Sequence, residues 1–284
     1  MKKIFLFTAL LFLTLSVSAD GIPLKVQMDF PWKGKNGTYT LNYPGKLWPK
    51  LSLSFPAKQG KTYKFSCEVR LEKPVKRMEG LRANPGKEFA PYTHYIYAQA
   101  DKTEFIRISL NPGAPNVLQI RNCKVEEMTA LPTDNLIWNG DFEHDSFGNV
   151  FMIGGWADQE SGGRLLPSPD FLYGEKSLQM PAPVSGKVNS LVTPDLPVRS
   201  NGKIKVTFWA KAEKPQGLTV QFDFQEQFKK HLYFLKTINV PTDWQEYTVE
   251  YSIPELQKPL VRLCFTHKHA PGAIWLDMVD LRVE

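Results

Sequence analysis

Apolar and polar residues alternate with a period of two at many places along the chain, and no long stretch keeps the 3.6-residue period of an amphipathic helix. Tyr63, Phe65, Cys67 and Val69 alternate with Lys64, Ser66, Glu68 and Arg70, which predicts a half-buried strand. Glu72-Lys73-Pro74 ends it, because proline brings no ladder donor. Shorter pieces at 25–30, 38–41 and 51–55 read the same way, and Lys58-Gln59-Gly60-Lys61 reads as a turn. Further on, Ile204, Val206, Phe208 and Ala210 alternate with Lys205, Thr207, Trp209 and Lys211 until Glu213-Lys214-Pro215. Then Val220, Phe222 and Phe224 would point inward and Gln221, Asp223, Gln225 and Gln227 outward. Frequent Pro (22) and Gly (19) add to the picture of short strands and turns, so the fold class expected is all-β, built as sandwiches.

The second of these patterns copies the first. Tyr63 matches Ile204 and Pro74 matches Pro215, since 204 − 63 and 215 − 74 are both 141. Ile106-Arg107-Ile108 matches Val261-Arg262-Leu263 at an offset of 155, and Ala114-Pro115 matches Ala270-Pro271 at 156. The second copy therefore holds about fourteen or fifteen more residues between the matched blocks, and the period is far longer than a solenoid's. Two tandem domains are expected, 20–130 and 135–284, joined by a polar, proline-containing connector around 131–134.

Residues 135–156 read NLIWNGDFEHDSFGNVFMIGGW. The apolar burst Leu136-Ile137-Trp138 suits a strand, and Asn139-Gly140-Asp141 punctuates it. This stretch resembles the opening of family 4/9-type carbohydrate-binding modules, the galactose-binding-like jelly rolls, where N-L-x-x-N-G-x-F-E, a loop and G-W stand in order. The close at Trp275-Leu276-Asp277-Met278-Val279-Asp280-Leu281 resembles that family's last strand, with Met278 in place of a second Asp. The resemblance covers nearly all of 135–284, while 20–130 lacks the opening motif and reads as a diverged copy. It implies a sugar site on the outward concave face of one sheet. It also implies a structural Ca²⁺ held by Glu143 and Asp277, with Asp141 as a further oxygen ligand.

Lys2-Lys3, an apolar run over 4–15 and Val17-Ser18-Ala19 read as a secretory signal peptide (1–19) cut after Ala19, so a secreted or periplasmic protein is expected. The run is too short to span a bilayer comfortably. A formal charge of +6 is spread without a basic run interleaved with aromatics, which argues against nucleic acid as partner. Cys67, Cys123 and Cys264 include no C-x-x-C pair, which leaves two readings open: a Cys67–Cys123 disulfide, or three small buried thiols.

Trp209 falls on the polar side of its strand, and an outward indole implies a partner such as a sugar ring. With Gln221, Asp223, Gln225, Arg262 and the loop residue Trp156 it forms the expected ligand-binding set. The first copy offers Trp32, Trp48 and the tyrosines Tyr92, Tyr95 and Tyr97. His267 and His269 read as part of a plain loop. No Ser or Cys nucleophile motif, phosphate loop or dinucleotide fingerprint is present. The reading is a non-catalytic protein that binds polysaccharide or oligosaccharide. The alternatives are a structural or adhesive protein with a protein partner, and a jelly-roll polysaccharide lyase using His231, Tyr233, Arg262 and Gln225.

Overall fold

The structure is a computed structural model. It describes residues 12–13, 22–28, 32–43, 50–73, 78–79, 87–110, 115–137, 140–143, 152–153, 166–183, 188–193, 195–226, 230–268 and 271–284. Trp48, Trp138, Trp156, Gln227 and His269 lie outside these residues.

Every regular element among the described residues is a strand. The first unit holds β1 (Phe12–Leu13), β2 (Lys25–Met28), β3 (Trp32–Lys35), β4 (Thr38–Tyr43), β5 (Leu51–Ala57), β6 (Thr62–Leu71), β7 (Met78–Glu79), β8 (Ala90–Tyr97), β9 (Lys102–Leu110) and β10 (Asn116–Glu127). They form one sheet in the order β1-β2-β5-β9-β7 and a second in the order β3-β4-β10-β6-β8. The second unit holds β11 (Met152–Ile153), β12 (Leu166–Ser168), β13 (Ser177–Met180), β14 (Val188–Val192), β15 (Leu196–Pro197), β16 (Lys203–Ala212), β17 (Gln216–Glu226), β18 (Lys230–Val240), β19 (Gln245–Ser252), β20 (Leu260–Lys268) and β21 (Ile274–Val283). Its sheets run β11-β14-β20-β17-β18, with β15 also on β20, and β12-β13-β21-β16-β19. The chain is thus two tandem all-β sandwiches, and every pairing among the described residues is antiparallel. Phe12–Leu13, inside the expected signal peptide, pairs with Val26–Gln27 at a sheet edge.

The strand orders match between units, and so do details within them. The β6 alternation buries Tyr63, Phe65, Cys67 and Val69, and the β16 alternation buries Ile204, Val206, Phe208 and Ala210. A bulge breaks the β10–β6 register between Arg121 and Lys124, and another breaks β16–β21 between Thr207 and Trp209. Each places a non-glycine residue at positive φ, Asn122 (54°) and Met278 (52°). The surplus of the second copy is the long β17–β18 hairpin, where the first unit has the two-residue β7.

Each unit has its own core, one gathered around Leu41, Leu53, Phe65 and Ile120, the other around Phe208, Phe222, Leu263 and Leu276. Among the described residues the first unit also reaches into the second unit's core. Tyr95 projects from the outward face of β8, opposite Lys64, and is buried in the second unit's core. Tyr97, Met128 and Leu131 pack against that core too, so contacts do cross the connector that the sequence marked as sparse.

Candidate functional site

In the second unit β18, β17 and β20 lie side by side, and register sets which side chains share a face. Phe222, Phe224 and Leu263 fill the core. Their neighbours point out in three rows: Tyr233–Asp223–Arg262, then Leu235–Gln221–Cys264, then Thr237–Thr219–Thr266. The third row continues to Ser190 on β14. It is stitched by hydroxyls, with Thr219 and Thr237 at 3.1 Å and Ser190 and Thr266 at 3.4 Å. Toward β14 this face is enclosed, because Ser190, Cys264 and Thr266 are buried. Toward β18 it opens, with Tyr233 43% and Leu235 63% exposed.

The first row carries the charge. Arg262 Nε donates to Asp195 Oδ1 at 2.5 Å, which fixes the guanidinium on the face. The Tyr233 phenol is held above its usual range, first by partial desolvation and then by the Asp223 carboxylate, with Arg262 acting the other way. An aromatic ring, a carboxylate and an anchored guanidinium thus stand in line across three strands.

The expected ligand set does not form one site. Gln221, Asp223 and Arg262 share this face, and Gln225 lies on β17 opposite His231 with neither side chain described. Trp209 is on β16, in the other sheet of the sandwich, so its outward face is on the opposite side of the molecule. Alternation within a strand assigns a face but not a sheet, and this is why Trp209 and Gln221 were grouped. Trp209 lies between Glu246 and Asp277 and is half-buried. On the same face Lys211 sits over the Trp244 and Trp275 rings at 5.4 and 5.3 Å and pairs with Asp170. Trp275 Nε1 donates to Ser168 Oγ at 3.0 Å.

Glu143 and Asp277, expected as calcium ligands, meet the same loop. The amides of Leu172 and Tyr173 donate to Asp277 Oδ2 at 3.0 and 3.2 Å, and the Met278 amide donates to Oδ1 at 2.8 Å. Glu143 Oε1 accepts from the amides of Glu175 (2.8 Å) and Lys176 (3.0 Å). Asp141 does not join them; its Oδ1 accepts from the Glu143 amide at 3.5 Å. Calcium takes six to eight oxygen ligands. The groups gathered here are amide hydrogens and the Lys176 ammonium, which donates to the Glu143 carbonyl at 3.3 Å. The described residues therefore fit a loop clamped by two carboxylates, and among them no three His, Cys, Asp or Glu side chains converge. Asp277 is fully buried, and its pKa is pushed up to about 6 by burial against the three amide bonds, with Glu143 adding to the rise.

Other expected residues move as well. His267 is a core residue of β20, its Nε2 3.2 Å from Gln216 Oε1, and burial lowers its pKa. It was placed in a loop because His267-Lys268-His269 runs into Pro271-Gly272. Trp32, Tyr92 and Tyr95 are buried, which removes them from any open site on the first unit. Cys67, Cys123 and Cys264 are buried free thiols, and Cys67 and Cys123 meet at the β10 bulge, where burial and that neighbour raise the Cys67 pKa. For the lyase grouping, Tyr233 and Arg262 stand on either side of Asp223, two strand spacings or about 9.6 Å apart along the sheet. Two residues of the open face escaped notice. Leu235 follows Tyr233 at i+2 and was legible from alternation. Asp195 lies outside any strand, and nothing in the sequence ties it to Arg262.

No protein-family model matches the chain, and no curated protein matches it. Solved structures do. A family 4 carbohydrate-binding module is 18% identical over 52% of this chain and 99% of its own, with a TM-score of 0.39. The N-terminal CBM22-1–CBM22-2 tandem domain of Paenibacillus barcinonensis Xyn10C is 13% identical over 92% of this chain and 91% of its own, TM-score 0.39. A family 61 module in complex with β-1,4-galactotriose is 13% identical over 53% of this chain and 99% of its own, TM-score 0.40. The structures named are carbohydrate-binding modules; the sandwich assignment for this chain rests on its own strand order and register.

Proposed function

We propose that the protein binds carbohydrate without transforming it, on the open outer face of β20, β17 and β18. The observation that carries this reading is the row Tyr233–Asp223–Arg262 beside exposed Leu235 and Gln221. The Tyr233 ring and Leu235 offer an apolar surface to the C–H face of a sugar, and Gln221, Asp223 and Arg262 offer donors and acceptors to its hydroxyls. By analogy with base stacking, one aromatic platform contributes roughly 1–3 kcal/mol. The reading includes export through the N-terminal segment expected to act as a signal peptide.

Affinity electrophoresis against a panel of neutral and acidic polysaccharides tests it. Tyr233→Ala is expected to weaken binding about tenfold or more, while Trp209→Ala, on the opposite sheet, leaves it unchanged. Loss on Trp209→Ala with Tyr233→Ala silent would move the site to the other face. Reducing or unsaturated ends appearing in the same wells would refute the non-catalytic reading.

A second reading, a protein partner in a cell-surface assembly, is favoured by one feature. The clamped loop carries Phe171, Leu172 and Tyr173 with 41, 37 and 65% exposure, next to half-exposed Met278. If pull-downs lose a protein partner on Leu172→Asp while glycan binding is absent throughout, this reading replaces the first.

A further inference from the structure

The first unit has an open sheet face of its own, and it is not the one the tryptophans and tyrosines suggested. Two rows cross β2, β5 and β9: Lys25–Ser54–Phe105 and Gln27–Ser52–Arg107. Their inward neighbours Val26, Leu53 and Ile106 are core, so these six side chains face outward. Phe105 is 52% exposed, and the Arg107 guanidinium stands 5.6 Å from its ring centre. Ser52 and Ser54 lie at their sides, short enough to leave the ring and the guanidinium standing proud of the sheet.

Comparison between the units sharpens this. Arg107 is the counterpart of Arg262 in the repeated Ile-Arg-Ile and Val-Arg-Leu motifs, and both lie outward, on β9 between β5 and β7 and on β20 between β14 and β17. Arg262 is neutralised by Asp195 and faces Asp223 across the ladder. Arg107 faces Ser52 instead, and among the described residues it has no carboxylate partner. Lys25 adds a second cation, and the outward positions described on β2, β5 and β9 carry no acid, while on the neighbouring strand β7 Glu79 is registered opposite Ser109. Exposed lysines and arginines are common on any surface; a guanidinium held beside an exposed ring, with no carboxylate partner among the described residues, is a more specific arrangement.

We propose that this face is a second ligand site, selective for an acidic polysaccharide. The Phe105 ring takes the C–H face of one residue, the Arg107 fork takes a carboxylate or sulfate, and the serines take hydroxyls. The site goes beyond the neutral-capable face of the second unit and stands independently of it.

The test uses the whole two-unit protein with polygalacturonate (carboxylate), heparin (sulfate) and a neutral galactan as probes. Arg107→Gln is expected to lower affinity for polyanion about tenfold and Phe105→Ala to do likewise, with binding to neutral glycan unchanged in both. Whichever polyanion shows this dependence identifies the acidic group. Lys33→Gln, an equal change of charge on the exposed edge of the other sheet, is expected to have no effect. Equal losses from Lys33→Gln and Arg107→Gln would reduce the effect to general attraction by a basic protein and overturn the site. So would polyanion binding indifferent to Phe105→Ala, or no polyanion binding at low salt. Tyr233→Ala is read on the neutral galactan, which reports the other face, and Arg107→Gln and Phe105→Ala on the polyanions, so the two assignments fail separately.

Discussion

Two buried ionisable residues of the second unit oppose each other in their response to pH. Asp277 has a pKa of about 6 in the fold against an ordinary 3.8, so between those values the folded state holds a proton the unfolded chain releases. Its contribution is fully present below about pH 3.8 and is lost as pH rises through about 6, on the order of 2–3 kcal/mol in all. His267 is held below its ordinary 6.5 by burial, so unfolding takes up a proton as pH falls past 6.5, and stability is lost in the acid direction. The two slopes overlap with opposite sign and flatten the wild-type profile. Urea titrations from pH 4 to 7.5, read as differences from wild type, separate them. Asp277→Asn is expected to leave a protein that weakens toward acid, and His267→Gln one that weakens toward pH 6 and above. Identical pH profiles for the three proteins would mean that neither group titrates differently in the fold.

At the scale of the element, the start of the stretch that stood out in the sequence, 135–137 with Gly140, proves to be a seam. Asn135 Oδ1 accepts from the Ile137 amide (2.9 Å) and the Leu281 amide (2.8 Å), and its Nδ2 donates to the Val279 carbonyl (3.0 Å). The Leu136 amide donates to the Leu281 carbonyl, and the Val279 amide to the Gly140 carbonyl, so 135–137 and Gly140 are laced onto β21. A Cβ on Gly140 would come within 2.0 Å of the Val279 oxygen, so only glycine permits this approach. Asn135→Ala removes three hydrogen bonds at a solvent-accessible edge and is expected to cost about 1–2 kcal/mol, measured by urea denaturation. This explains what was legible in the sequence. Alternation and turn chemistry report local backbone and one buried face, which suffices for β6, β16, β17 and the duplication. They do not report which sheet a strand joins, so Trp209 and Gln221 were placed together. Nor do they report a cross-sheet partner: the Asp195–Arg262 pair and the amides that fill Asp277 are set by tertiary approach alone.

For the molecule as a whole, the question is whether two sandwiches with separate cores behave as one body. Three features of the junction argue that they do. Tyr95 lies on the outward side of edge strand β8, where alternation alone would leave it wet, yet it is only 7% exposed, and burial pushes its pKa to about 12. Tyr97, Met128 and Leu131 also pack against the second unit's core, and β8 lies against β15. An outward aromatic calls for a partner, and for this one the partner is the second unit. Removing the ring leaves a cavity at the junction without touching the first unit's core, so Tyr95→Ala is expected to cost about 3 kcal/mol, by comparison with Phe→Ala in cores. The loss should fall on coupling. Calorimetry is expected to show one melting transition for the wild type and two for Tyr95→Ala. Hydrogen exchange should rise first at β8 and at the Leu196 and Val198 amides. Two transitions already in the wild type would show that the junction is too weak to couple the units. One transition with an unchanged midpoint in the variant would show that coupling runs through the connector alone.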